Sequence, residues 1–155
     1  MLSSPRTHTA LMTEIAAERR ELADLLGGLP DQAWDAPTLC AGWRVRELVA
    51  HVTMPFRYSG ARFAAELLRS GGNFHRMSDR CARRDAAIPA PELVRVLRDN
   101  ASNPWQPPGG GLAGALTHDV IHGLDVVVAL GLDRKVPVGR LRVVLDAITE
   151  PKAVR

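Results

Sequence analysis

GALTHDVIHGLDVVVALG, residues 114–131, reads as a helix that is apolar on nearly every face. It nevertheless carries two histidines four residues apart, His118 and His122, and an aspartate three further on, Asp125. At about 100° per residue the two imidazoles lie roughly 40° apart, one turn up the same face, and Asp125 continues that line. Leu116, Val120, Ile121, Leu124, Val127 and Val128 fill the remaining surface. A helix with so little polar surface is expected inside a bundle, where polar groups need partners. The apolar run 112–132 has the length of a membrane span, about 20 residues. His118, Asp119, His122 and Asp125 lie inside it, each costly in hydrocarbon, so a bundle helix and no membrane partner are expected.

Working outward, helical periodicity recurs and no strand pattern does. Met12, Ile15, Leu22 and Leu26 mark one face of a helix over about 9–26, stopped by Gly27, Gly28 and Pro30. DQAWDAPTLCAGW (31–43) reads as an ordered loop packed on the core. A second helix is predicted over about 45–69, kinked or broken at Pro55, because proline lacks the amide and crowds the preceding turn. The arginine-rich stretch 70–90 is read as a connection with a short helix. PAPELVRVLRDN starts another helix, with Pro91 in its first turn, and SNPWQPPGGG is a loop. Leu141, Val144, Leu145 and Ile148 give a final helix over 139–149. The fold class is all-α, a four-helix bundle with short extra helices in the connections, forming a single domain over 1–155.

Composition narrows the function classes. A chain of 155 residues with 46% hydrophobic and 24% charged residues is that of one globular domain. The net charge of +3 is scattered, and aromatics make up 5%, so neither a nucleic-acid stripe nor a base-stacking platform is expected. Cys40 and Cys81 form no metal or redox motif, and no signal peptide is evident, which makes a cytoplasmic protein the expectation. The short last helix cannot cover two long partners, and a homodimer is expected to hide what it leaves bare.

Two imidazoles at i, i+4 can converge on one divalent ion, but a complete site needs a third ligand. His8 lies near the terminus and His75 in the glycine-flanked basic stretch. His51, three after Leu48 on the edge of the Val45–Val52 apolar stripe, is the candidate the spacing favours. The pair is not the zincin motif, because Asp119 follows the first histidine where that motif has glutamate. Asp119, about 100° round the helix from His118, is expected to be solvated or to cap. Asp125 is placed to hold the N–H of His122 or to pair with an arginine. Cys40 is either a packing residue or a nucleophile or metal ligand.

WDAPTLCAGWRVRELVAHV, carrying Trp34, Pro37, Thr38, Cys40, Gly42, Trp43, Arg46, Leu48 and His51, is followed some seventy residues later by HDVIHGLDVVVALG. Together these blocks resemble the mycothiol-dependent maleylpyruvate isomerase N-terminal domain family, within the DinB-like metal-binding four-helix bundles. The resemblance implies a divalent metal, zinc or nickel, on His51, His118 and His122, and a low-molecular-weight thiol such as mycothiol as cofactor. It makes Arg80, Arg83 and Arg84 candidates for the thiol's carboxylate. The isomerase itself has glutamate at the position of His118, whereas other DinB-like proteins use three histidines; many relatives also continue into a further region. Three functions follow: a thiol-dependent transferase or isomerase, a metal-dependent hydrolase, or a non-enzymatic metal-binding module. No catalytic residue beyond the metal ligands is marked by the sequence.

Overall fold

The computed structural model describes residues 5–149; the ends of the expected 1–155 unit lie outside the described residues. The helices are α1 (Pro5–Gly27), α2 (Val45–Arg57), α3 (Gly60–Arg69), α4 (Phe74–Asp85), α5 (Ala90–Asp99), α6 (Gly111–Ala129) and α7 (Val138–Thr149), with a 3₁₀ turn at Asp31–Asp35. There is no strand among the described residues. Pro37 and Arg44 form an isolated antiparallel bridge.

Four helices make the bundle. α1 and α2 each pack against both α5 and α6, so the four close a ring. α3 and α4 sit in the connection between α2 and α5, with α4 laid on α2, and α7 packs on α6. This is the expected all-α bundle with extra helices. Leu22, Leu26, Trp34, Val49, Leu93 and Leu97 centre the core between α1, α2 and α5. Ile15, Leu116, Val120 and Val144 centre another between α1, α6 and α7. α6 is long and apolar enough to cross a bilayer, but Ala115, Leu116, Asp119, Val120, Gly123, Val126 and Val127 are buried by its neighbours. Val138, Leu145 and Ile148 of α7 remain exposed, as the short last helix predicts.

Two boundaries differ from expectation. The helix predicted over 45–69 does not break at Pro55. α2 runs through it to Arg57, and the chain turns at Tyr58 and Ser59, both extended. The side chain of Arg57 steadies this last turn, donating to the Ala50 carbonyl (2.7 Å) and to Thr53 Oγ1 (3.2 Å). Ser59 Oγ then accepts from the Arg62 amide and starts α3. The stretch read as a connection with a short helix holds the 12-residue α4, begun by Asn73 Oδ1 accepting from the Arg76 amide at 2.9 Å. Its buried face, Met77, Ser78, Cys81, Ala82 and Asp85, has helical spacing that the arginines opposite obscure.

Candidate metal centre

α2 and α6 meet at the three histidines. His51 lies on α2 among Leu48, Val49 and Val52 and is 8% exposed; His118 and His122 lie one turn apart on α6, each half-buried. One ring nitrogen from each falls within 4.8 Å of the others. His118 Nε2 stands 3.3 Å from His51 Nε2. The ring centroids are 5.3 Å apart for His51 and His118, 5.0 Å for His51 and His122, and 4.7 Å for His118 and His122.

Each imidazole is held from behind at Nδ1 by an oxygen. His51 Nδ1 is hydrogen-bonded to Ser78 Oγ of α4 at 2.8 Å. His118 Nδ1 donates to Asp119 Oδ1 (3.1 Å) and His122 Nδ1 donates to Asp125 Oδ2 (3.2 Å). A carboxylate accepts and never donates when ionised, so it fixes the proton on Nδ1 and leaves Nε2 as a lone pair. The Ser78 hydroxyl can turn either way. It donates to His51 Nδ1 when His51 Nε2–H donates to His118, and accepts when both Nε2 lone pairs are needed elsewhere. Burial, reinforced by the neighbouring His118 and His122, lowers the His51 imidazole from 6.5 to about 2, which keeps its ring neutral.

Asp119, expected to be solvated or capping, is instead 1% exposed. Its other oxygen accepts from Arg19 Nε of α1 at 2.7 Å, and Arg19 is itself fully buried. Arg19 Nη1 also donates to the carbonyls of Asn100 (3.2 Å) and Asn103 (2.7 Å). The aspartate is drawn inward because a buried guanidinium needs a counter-charge. The result ties α1 and the turn after α5 to the backing of His118.

The loop before α2 closes the other side. Gly42 adopts φ +79°, which lets Thr38 N and Oγ1 both donate to the Trp43 carbonyl (3.0 and 2.9 Å). Leu39 N donates to the Asp125 carbonyl at 3.2 Å and pins the loop to α6. Trp43 is thereby set 5.1 Å from His51, centroid to centroid. Cys40 Sγ donates to Asp125 Oδ2 at 3.1 Å and lies 3.9 Å from His122 Nδ1. Burial and the Asp125 carboxylate push its thiol up to about 12, so Cys40 is no ready nucleophile near neutral pH.

The histidines open onto a cavity of about 830 Å³ walled by Trp43, Met54, Tyr58, Phe63, Phe74 and Trp105, with Cys40, Ser59, His75, Ser78, Asp79 and Gln106 as polar members. Trp105 lies 5.4 Å from His118 and 6.5 Å from Phe56, centroid to centroid. Exposed His75 is on the cavity wall, away from the histidine cluster, and exposed His8 stays on α1.

Arg80, Arg83 and Arg84 do not reach this cavity. Arg80 and Arg84 pair with Glu66 of α3 at 2.7 and 2.8 Å, and Arg84 also donates to Asp85 and Tyr58. Arg83 pairs with Asp79 one turn back at 2.9 Å. Their acidic partners on α3 and α4 turn them outward, leaving no lysine or arginine of the described residues on the cavity wall.

Asp119, Ser78 and Arg19 escape a reading of the sequence as site residues, as do the cavity aromatics. A signal exists for Arg19, which sits four after Ile15 and three before Leu22 on the inward stripe of α1. Ser78 has none, since its contact to His51 spans 27 residues between separate helices.

Among known proteins, a family model described as the mycothiol maleylpyruvate isomerase N-terminal domain matches residues 15–106, which include His51 and the Thr38–Trp43 loop and end before α6. Neither curated proteins nor solved structures give a match. With more than half its length matched and a helical bundle carrying a converging histidine set, the chain belongs to the mycothiol maleylpyruvate isomerase N-terminal domain family, a DinB-like family.

Proposed function

We propose that this protein binds one divalent ion, zinc or nickel, through Nε2 of His51, His118 and His122, and uses it in a mycothiol-dependent transferase or isomerase reaction. The observation that carries the reading is the backing of each imidazole at Nδ1 by Ser78, Asp119 or Asp125. Metal-ligating histidines characteristically donate their other N–H to such groups, which fixes ring orientation and raises ligand basicity. The 3.3 Å between His51 and His118 Nε2 fits the same reading. Nitrogens bound at about 2.0–2.1 Å in a tetrahedral shell stand roughly 3.3–3.4 Å apart.

Three neutral ligands leave an ion its full charge and an open position, and an ion so held lowers the pKa of a coordinated thiol or water. The protein's own residues supply the rest. Trp43 and Trp105 flank His51 and His118, and Asp119, anchored by Arg19, keeps the His118 proton on Nδ1. Asp125 does the same for His122 while occupying the Cys40 thiol. Cys40 is held by that hydrogen bond, and the nucleophile in this reading is the exogenous thiol.

Cobalt substitution tests this reading. The protein should take up one cobalt with tetrahedral-type visible absorption, and added mycothiol should bring a sulfur-to-cobalt charge-transfer band that His122→Ala lacks. Failure to bind cobalt, or a spectrum unchanged by mycothiol, would overturn it.

A further inference from the structure

The chain contains three tryptophans, one tyrosine and three phenylalanines. Trp43, Tyr58, Phe63, Phe74 and Trp105 all line the one cavity beside the histidines. Of the other two, Trp34 is in the core and Phe56 lies edge-on against Trp105. A protein poor in aromatics has thus gathered most of them around a single space. The basic residues show the opposite pattern: the chain has 20 lysines and arginines, and none among the described residues lines this cavity. The nearby guanidiniums are engaged elsewhere, Arg57 by Asp85, Arg80 and Arg84 by Glu66, Arg83 by Asp79, while Arg62 stacks over the Tyr58 ring from an exposed position. The acidic residue on the wall, Asp79, accepts from Trp43 Nε1 at 2.8 Å and from Arg83 Nε at 2.9 Å, so this pair brings no net positive charge to the cavity.

From this distribution we propose that the organic substrate is an aromatic molecule of about one or two rings, bound by ring contacts in this cavity with no carboxylate set among the aromatic walls. The assignment rests on the metal-centre reading for what happens to that molecule, but not for its binding. A volume of about 830 Å³ accommodates such a molecule, and flat rings gain most from offset and edge-on contact with aromatic walls. A carboxylate among the aromatic walls, away from the ion that the histidines would hold, would be desolvated without a guanidinium or ammonium to meet it. A dicarboxylate of the type that the family's name, with its maleylpyruvate, points to could set one carboxylate on that ion, but its other would stay unpaired among the aromatic walls.

Two isosteric probes separate these alternatives: 2-naphthylmethanol, which is neutral, and 2-naphthoate, which is anionic. The full chain is titrated with each in excess EDTA at about pH 8, where ordinary imidazoles are neutral and carboxylate ligation of an ion plays no part. 2-Naphthylmethanol should bind one to one and quench tryptophan fluorescence, and 2-naphthoate should bind roughly 30-fold more weakly. Phe74→Glu places an acid at the first position of α4, where the helix end favours it, so the fold is retained and naphthylmethanol affinity should drop about tenfold. Leu68→Glu, on the exposed face of α3, should change nothing. Naphthoate binding within about threefold of the alcohol, no binding of the alcohol, or an unaffected Phe74→Glu variant would each overturn the proposal. Because the metal is stripped, a protein that binds the alcohol but takes up no cobalt would sink the metal-centre reading alone.

Discussion

Arg19 Nε donates to Asp119 Oδ2 at 2.7 Å, and both side chains are closed off from solvent, one on α1 and the other beside a histidine of α6. Removing one member of such a pair strands the other charge in the interior. Arg19→Met is expected to cost about 3–5 kcal/mol in urea denaturation. The double variant Arg19→Met with Asp119→Leu should recover most of that loss, because no buried charge is left unpaired. Equal losses in the single and double variants would show that packing of the arginine stem, not charge, holds this junction.

The same aspartate sets the proton of His118. Asp119→Asn keeps the shape but lets the amide donate as well as accept, so metal affinity measured by competition with a chelating dye should fall roughly 10–100-fold. Asp125→Asn should have a similar effect through His122. His122→Ala should abolish stoichiometric binding.

His51 gives a pH dependence with a definite sign. Its buried ring takes up no proton in the fold until about pH 2, whereas in the unfolded chain it protonates below 6.5. The unfolded state therefore binds the extra proton between those values, and stability falls as pH drops through 6.5. Between about pH 7.5 and 5.5 this group alone removes roughly 1.4 kcal/mol from the metal-free protein. Denaturation curves at the two pH values should show that loss in the wild type and not in His51→Leu.

Cys40 should be slow to alkylate. With its thiol raised to about 12, only about one molecule in ten thousand carries a thiolate near pH 8, and modification by iodoacetamide should lag a free cysteine by roughly a thousandfold. Asp125→Asn removes the carboxylate that holds the proton and should speed labelling.

The helix that decides the fold is legible in the sequence because a polar line on an apolar cylinder demands partners inside the bundle. His51 is legible because it interrupts a clean stripe on α2. The break after Arg57 is not, since Pro55 marks strain while Tyr58 and Ser59, where the chain turns, carry no strong signal. α4 is hidden by its arginines, which bind Glu66, Asp79 and Asp85 and so look like a solvated loop in one dimension. Asp119 misleads for a related reason. Helical geometry puts it about 100° from His118, but a buried cation a hundred residues away in sequence decides where its carboxylate turns. Arg19 is visible in principle, because it completes the 3–4 spacing of Met12, Ile15, Leu22 and Leu26. The aromatic cavity is not, since its walls come from five separate stretches of chain.

Whether three imidazoles share one ion is decided by X-ray absorption at the zinc edge of the zinc-loaded protein. The spectrum should show one zinc per chain with three nitrogen ligands at about 2.0–2.1 Å and the shell completed by water, the water giving way to one sulfur ligand at about 2.3 Å when mycothiol is added. Sulfur in the shell before any thiol is added, or full zinc content in a variant with His51, His118 and His122 all replaced by alanine, would contradict it.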